Sequence, residues 1–407
     1  MKKTALRRYA RLIARVGANI QKGQEVVITC DLDQPEFVKL LTEECYRAGA
    51  RKVRVDWTYD PLTKIHARWQ KQRDLARVED WEKARLQHMV DVLPVRIFLE
   101  SSDPDGLTGI HRRYFKALQE RALTVKPYRD AIDNRHQWCI AAVPGEAWAR
   151  KLYPRLTRHQ AVERLWQDIL FTSRADGPDP VAAWEAHNAD LKKRCEYLNG
   201  LGLRSLRYRS SNGTDFSVGL MARGVFHAGS DTTLQGVVYD PNIPTEEVFT
   251  SPDRRTAEGI VHSTKPLSYQ GQLIEDFYFR FEKGQVTDFG AGRGREVLEH
   301  IVGMDEGSAF LGECALVPKE SPVNQTGILF YNTLFDENAS CHLALGAGFN
   351  ECVDGFASLS QAELAEMGLN DSAAHVDFMI GADDLSIDGE TKDGRSVPIF
   401  RSGTWAF

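Results

Sequence analysis

Little in this chain of 407 residues points to an oxidising, membrane or nucleic-acid setting. Its seven cysteines (30, 45, 139, 195, 314, 341 and 352) are odd in number, scattered, and without a C-x-x-C pair. Neither a disulfide framework nor a cysteine-built zinc site is therefore expected. They read as small buried hydrophobes of a reducing compartment. Cys341 adjoins His342 and Cys314 follows Glu313, but packing is the expected role of both. No apolar run approaches the roughly 20 residues of a membrane span. Positive charge is not in surplus: 51 Lys and Arg stand against 57 Asp and Glu, a net charge of −6, so there is no basic footprint for nucleic acid. The dinucleotide pattern G-x-G-x-x-G is missing. Gly290-Ala291-Gly292-Arg293-Gly294 has the wrong spacing and follows a hairpin, so it reads as a glycine-rich turn into a helix at 294–303. The absence of a G-x-S-x-G elbow argues against a serine hydrolase. No internal repeat or low-complexity linker is present.

What is there suits a chain of two domains. Lys2, Lys3, Arg7, Arg8, Arg11 and Arg15 precede the first acidic residue, Glu25. That composition resembles a transit peptide, but Leu6, Tyr9, Leu12, Ile13 and Val16 fall at helical spacing. A first helix leading directly into a strand at 25–29 is the better reading, and a cytoplasmic protein is expected. Helical patterns near 35–48 and 112–123 alternate with strands at 25–29, 52–57 and 95–99. This predicts an α/β N-terminal domain with a mainly parallel sheet over residues 1–195. Further helices are predicted at 159–172 and 179–197. From about 196 to 407 the texture becomes that of a β-rich α+β domain. Short strands flank Asn212-Gly213, three phenylalanines alternate in Phe277-Tyr278-Phe279-Arg280-Phe281 before Lys283-Gly284, and Asp388-Gly389 and Asp393-Gly394 read as hairpin turns.

The chemistry gathers in the second half. The stretch Phe335 to Gly346 carries His342 in a small-residue setting, and His375-Val376-Asp377 follows. In the latter, imidazole and carboxylate are two residues apart in an alternating run, so on a strand both project from one face. A metal requires such convergence, with ligand atoms about 2.0–2.2 Å from the ion. A lone histidine is more often packed or solvated than ligating, so further carboxylates are needed. Two segments offer them: Asn242-Ile243-Pro244-Thr245-Glu246-Glu247-Val248-Phe249-Thr250-Ser251-Pro252, and Leu311-Gly312-Glu313-Cys314-Ala315-Leu316-Val317. In each, a Glu precedes an apolar run, and an inward carboxylate requires a cation or proton beside it.

Taken together, these four segments resemble the M29 metallo-aminopeptidases, the aminopeptidase T, AmpS and PepS type. The resemblance extends to Asp179 through Asn188 and to Asn212-Gly213-Thr214-Asp215. It implies a two-metal site (Zn, Co or Mn) that hydrolyses the N-terminal residue from peptides, within a homodimer and without nucleic-acid or membrane partners. It also implies that Glu247, Glu313, His342, His375 and Asp377 are the ligands, with Glu313 bridging. Glu246 or Glu247 is a candidate general base. One departure stands out: Phe349 occupies the position of a family tyrosine that points into the site. A phenol can donate to a developing oxyanion and Phe cannot; loss of such a donor costs roughly 10²–10³ in rate. Two other readings remain open. His342, His375 and Asp377 alone would suit a mononuclear Fe(II) ring-cleaving dioxygenase, and Phe349 would suit a catalytically impaired metal-binding relative.

Overall fold

A computed structural model describes all residues, 1–407. The chain folds as two compact units. The first comprises Met1–Ala186 with Ser230–Pro244, and the second His187–Gly229 with Thr245–Phe407.

In the first unit, strands β1 (Glu25–Asp31), β2 (Lys52–Thr58), β3 (Val95–Glu100) and β4 (Trp138–Ala142) pair in parallel in the order β4-β3-β1-β2. The short pair Asn242–Ile243 extends the β4 edge, also in parallel. Helices between the strands supply the crossovers that parallel pairing requires. The helix Pro35–Ala48 shows how sequence sets such an element: proline opens its first turn, and Gly49 closes it at φ +118°, a left-handed conformation that glycine adopts at little steric cost. Its buried Phe37 joins Tyr9 and Trp166 in an aromatic cluster with ring centroids 5.3–6.4 Å apart. The first helix runs from Lys3 to Leu12 and widens to a π-turn at Ile13–Gly17. A side chain at Gly17 would put its Cβ 2.6 Å from Cys139 Sγ.

The second unit contains two main antiparallel sheets. One, of nine strands, carries Phe277, Phe279 and Phe281 on a buried face with Phe216. The other has five strands: His227–Ala228, Val248–Thr250, Leu311–Leu316, His342–Gly346 and His375–Met379, adjacent in that order. Phe378, on the last of these, packs 5.0 Å from Phe279. One face of the five-stranded sheet thus joins the apolar core, and the alternate residues point the other way.

Two turn readings are corrected. Gly290–Arg293 is not a turn but the end of the strand Gln285–Arg293, with Gly290 opposite Tyr278; only Gly294, at φ +80°, turns the chain into the helix Arg295–Val302. The glycines serve cross-strand packing, since a Cβ at Gly290 would lie 2.7 Å from the Tyr278 ring. Asp388-Gly389 is likewise inside a strand, Ser386–Thr391, where a Cβ at Gly389 would meet Leu203 at 2.7 Å. Asp393-Gly394 does lie at the turn to the strand Ser396–Arg401. Strand β4 and the helix Asp80–Val92 had no sequence counterpart.

Candidate metal centre

Pair register explains how distant residues meet. On the five-stranded sheet, Asp377 lies opposite Ala344, and Ala344 opposite Glu313; His375 lies opposite Gly346, and His342 opposite Ala315. Directly opposed residues project from the same face, and so do residues two apart. Glu313, His342, His375 and Asp377 therefore share one face, separated by the small residues Ala315, Ala344 and Gly346. Glu247, immediately before Val248, joins them: its Oε2 lies 3.2 Å from His342 Nε2. His375 Nε2 is 3.2 Å from both Glu313 Oε2 and Asp377 Oδ1. Ligand atoms fall into two convergent groups, Glu247–Glu313–His342 and Glu313–His375–Asp377, each within 4.8 Å, with Glu313 common to both.

Each of these features fits a divalent ion. Atoms bound tetrahedrally at about 2.0–2.2 Å lie roughly 3.4 Å from one another, close to the separations seen. His342 Nδ1 faces the carbonyl of Ser340 at 3.2 Å, and His375 Nδ1 faces that of Ala347 at 2.8 Å. An Nδ1–H donated to a carbonyl leaves the Nε2 lone pair for a metal. Asp377 Oδ1 is buried, and its contact with His375 falls short of ideal hydrogen-bond geometry. His375 is the most open of the five, its side chain 28% exposed.

Electrostatics reflect crowding of like charge. Burial and the nearby Glu247 push the Glu313 carboxyl up, against the hydrogen bond from His375. Burial opposes charge on His342, yet the hydrogen bond and charge of Glu247 lift it to about 10. His375 is held well above the ordinary imidazole value, against burial, by Asp377 and Glu313. Asp377, despite burial, is drawn down to about 2 by His375. The carboxylates thus favour positive charge on both rings.

Other candidates fall elsewhere. Glu246 sits 4.0 Å from His187 Nε2, and its amide donates to Asn338 Oδ1. The ring of Phe349 lies 5.0 Å from that of His375. All seven cysteines are free. Cys314 and Cys341 are fully buried, and burial pushes the Cys341 thiol up to about 12. Sequence reasoning missed Glu337, on the turn Glu337–Ala339. Its desolvated carboxyl is pushed well above the ordinary value by burial, then by the charges of Asp377 and Glu247. Its only sequence signal is its place five residues before His342. Asn370, buried among these loops, donates through Nδ2 to the carbonyls of Gly307 at 2.8 Å and Gly346 at 2.5 Å, fixing the end of the strand opposite His375.

Known proteins match over the full length. Residues 2–405 match the family model described as thermophilic metalloprotease (M29). Aminopeptidase 2 of Geobacillus stearothermophilus is 41% identical over 404 residues, 99% of this chain and 98% of the relative. Aminopeptidase T of Thermus thermophilus is 37% identical over 405 residues, again 99% and 98%. The structure of wild-type AmpT from Thermus thermophilus superimposes with a TM-score of 0.91 at 36% identity, covering 100% of both chains. A 2,5-dihydroxypyridine dioxygenase from Pseudomonas putida, with a TM-score of 0.52 and 14% identity over 99% of this chain and 96% of that one, shares the fold alone. On this sequence and structural likeness, the chain belongs to the M29 family of metalloproteases.

Proposed function

We propose that the chain is a metal-dependent aminopeptidase that binds two divalent ions, drawn from Zn, Co and Mn, and removes the N-terminal residue from peptides. The observation that carries this reading is the carboxylate of Glu313, common to two ligand groups. Glu247 and His342 would hold one ion and His375 and Asp377 the other, with Glu313 available to both. Charge supports a cationic occupant: Glu247, Glu313, Glu337 and Asp377 interact as four acids at one place. When bound, such ions activate water and polarise the scissile carbonyl.

The remaining work falls to the chain. Glu337 lies outside both ligand groups but among their charges. We assign it, in place of Glu246 or Glu247, to take a proton from the attacking water and return it to the leaving amine. The carboxylates also attract the substrate's ammonium end, which supports action at a free N-terminus. A mononuclear iron site using only His342, His375 and Asp377 is disfavoured, because His342 falls in a different group from the other two. The relatives named aminopeptidases give independent support. The test is turnover of aminoacyl anilides by protein loaded with Zn, Co or Mn, beside the same substrates N-acetylated. Cleavage of the free-amine series alone is expected; equal cleavage of both would sink the exopeptidase reading.

A further inference from the structure

Beside the acid–imidazole cluster, the same sheet face turns apolar. Phe249 pairs with Ala315, the residue that also pairs with His342, so its ring projects on the cluster's side. That ring meets Phe349 edge-on, centroids 5.4 Å apart at 71°. Phe349 in turn stands 5.0 Å from the ring of His375. Phe249 and Phe349 are only partly buried, whereas Val248 and Thr250 on either side of Phe249 are sealed. The amide of Phe349 donates to Ser251 Oγ at 2.8 Å, and Ser251 is fully buried. The two rings are thus held against the sheet and partly exposed.

We infer that Phe249 and Phe349 form the wall of the subsite receiving the side chain of the substrate's N-terminal residue, and that the chain selects peptides beginning with a large apolar or aromatic residue. This inference rests on the aminopeptidase reading above. An N-terminal residue has its ammonium and its scissile carbonyl one bond either side of Cα, so its Cβ starts within about 2.5 Å of both anchored groups. A side chain leaving the cluster there meets first the ring of Phe349, whose centroid lies 5.0 Å from that of His375. Edge-to-face aromatic contact works at centroid separations of roughly 4.5–7 Å. Two phenyl rings offer neither a hydrogen bond nor a countercharge to an N-terminal Asp or Glu side chain.

The experiment compares kcat/KM for the p-nitroanilides of Phe, Leu, Ala and Glu with cobalt-loaded protein. Phe and Leu are expected to exceed Ala by at least about tenfold, with Glu lowest. In Phe249→Ala the Phe-to-Ala ratio is expected to fall about tenfold, since apolar pocket contacts are worth about that much. Binding of phenylalanine and alanine hydroxamates, measured by calorimetry, reads the same ratio without turnover. Phe249→Leu and the wild-type profile serve if the alanine variant does not fold. A flat wild-type profile, or ratios unmoved in the variants, overturns the subsite. Failure to cleave any anilide overturns the aminopeptidase reading instead, and hydroxamate selectivity then still decides the wall.

Discussion

Glu313 and Asp377 face each other across a single small side chain: Ala344 stands directly opposite both, on the strand between them. The two carboxylates reach the same imidazole, His375, from either side. Ala344 is fully buried, so a larger residue there must enter the space between the acids. Ala344→Leu is predicted to lose metal uptake and to destabilise the fold by about 1–3 kcal/mol, the usual penalty of overpacking. Metal analysis and thermal unfolding check this; a variant that still binds two ions would refute it.

Glu313 is the residue both halves of the site depend on. Glu313→Ala is predicted to abolish hydrolysis and metal uptake together. Elemental analysis of the wild type should find two divalent ions per chain. One iron, or activity surviving in the variant, rejects the two-metal reading.

Glu337 is assigned a proton rather than an ion. Glu337→Gln is therefore predicted to lower kcat by about 10²-fold or more, the scale of general acid–base catalysis, while metal content stays near the wild-type value. Joint loss of both would make Glu337 a ligand.

Phe349→Tyr restores a phenol beside His375. The expected outcome is a higher kcat, by tenfold or more and up to the roughly 10²–10³ that such a donor supplies. An unchanged or lower kcat would mean that the phenol finds no oxyanion in reach.

Protonation gives a pH signature with a definite sign. In the metal-free protein His342 is raised from 6.5 to about 10. Its contribution to stability is fully present below pH 6.5 and is lost as pH rises through about 10. Metal-free protein should therefore unfold more readily at pH 10 than at pH 7, and His342→Gln should flatten that slope. Because ions displace these ring protons, loading at pH 8 should release protons, measurable by calorimetry in buffers of different ionisation enthalpy.

Much of this arrangement could be read in the chain, for physical reasons. His375-Val376-Asp377-Phe378 alternates with period two, so a shared face for His375 and Asp377 followed from strand geometry alone. Likewise, the helical pattern near 35–48 matched the helix Pro35–Ala48. Glu247 and Glu313 were different: pairing across strands brings them to the histidines, and no local pattern encodes that register. The family resemblance supplied what periodicity could not. Glu337 was illegible because it follows Asp336 on a short turn where no period distinguishes two adjacent acids. Gly290 and Gly389 misled for a related reason. A glycine needed for close approach of a neighbouring strand looks, in one dimension, the same as a glycine that bends the chain.

Asn370 touches none of the five proposed ligands, yet its amide ties Gly307 to Gly346 and so anchors the strand end that faces His375. Replacing it would strand two buried carbonyls, one of them at the residue paired with His375, a loss felt first in local stability. The integrity of that strand end therefore depends on a side chain that contributes no donor to the cluster, an outer support that lies beyond the reach of any ion.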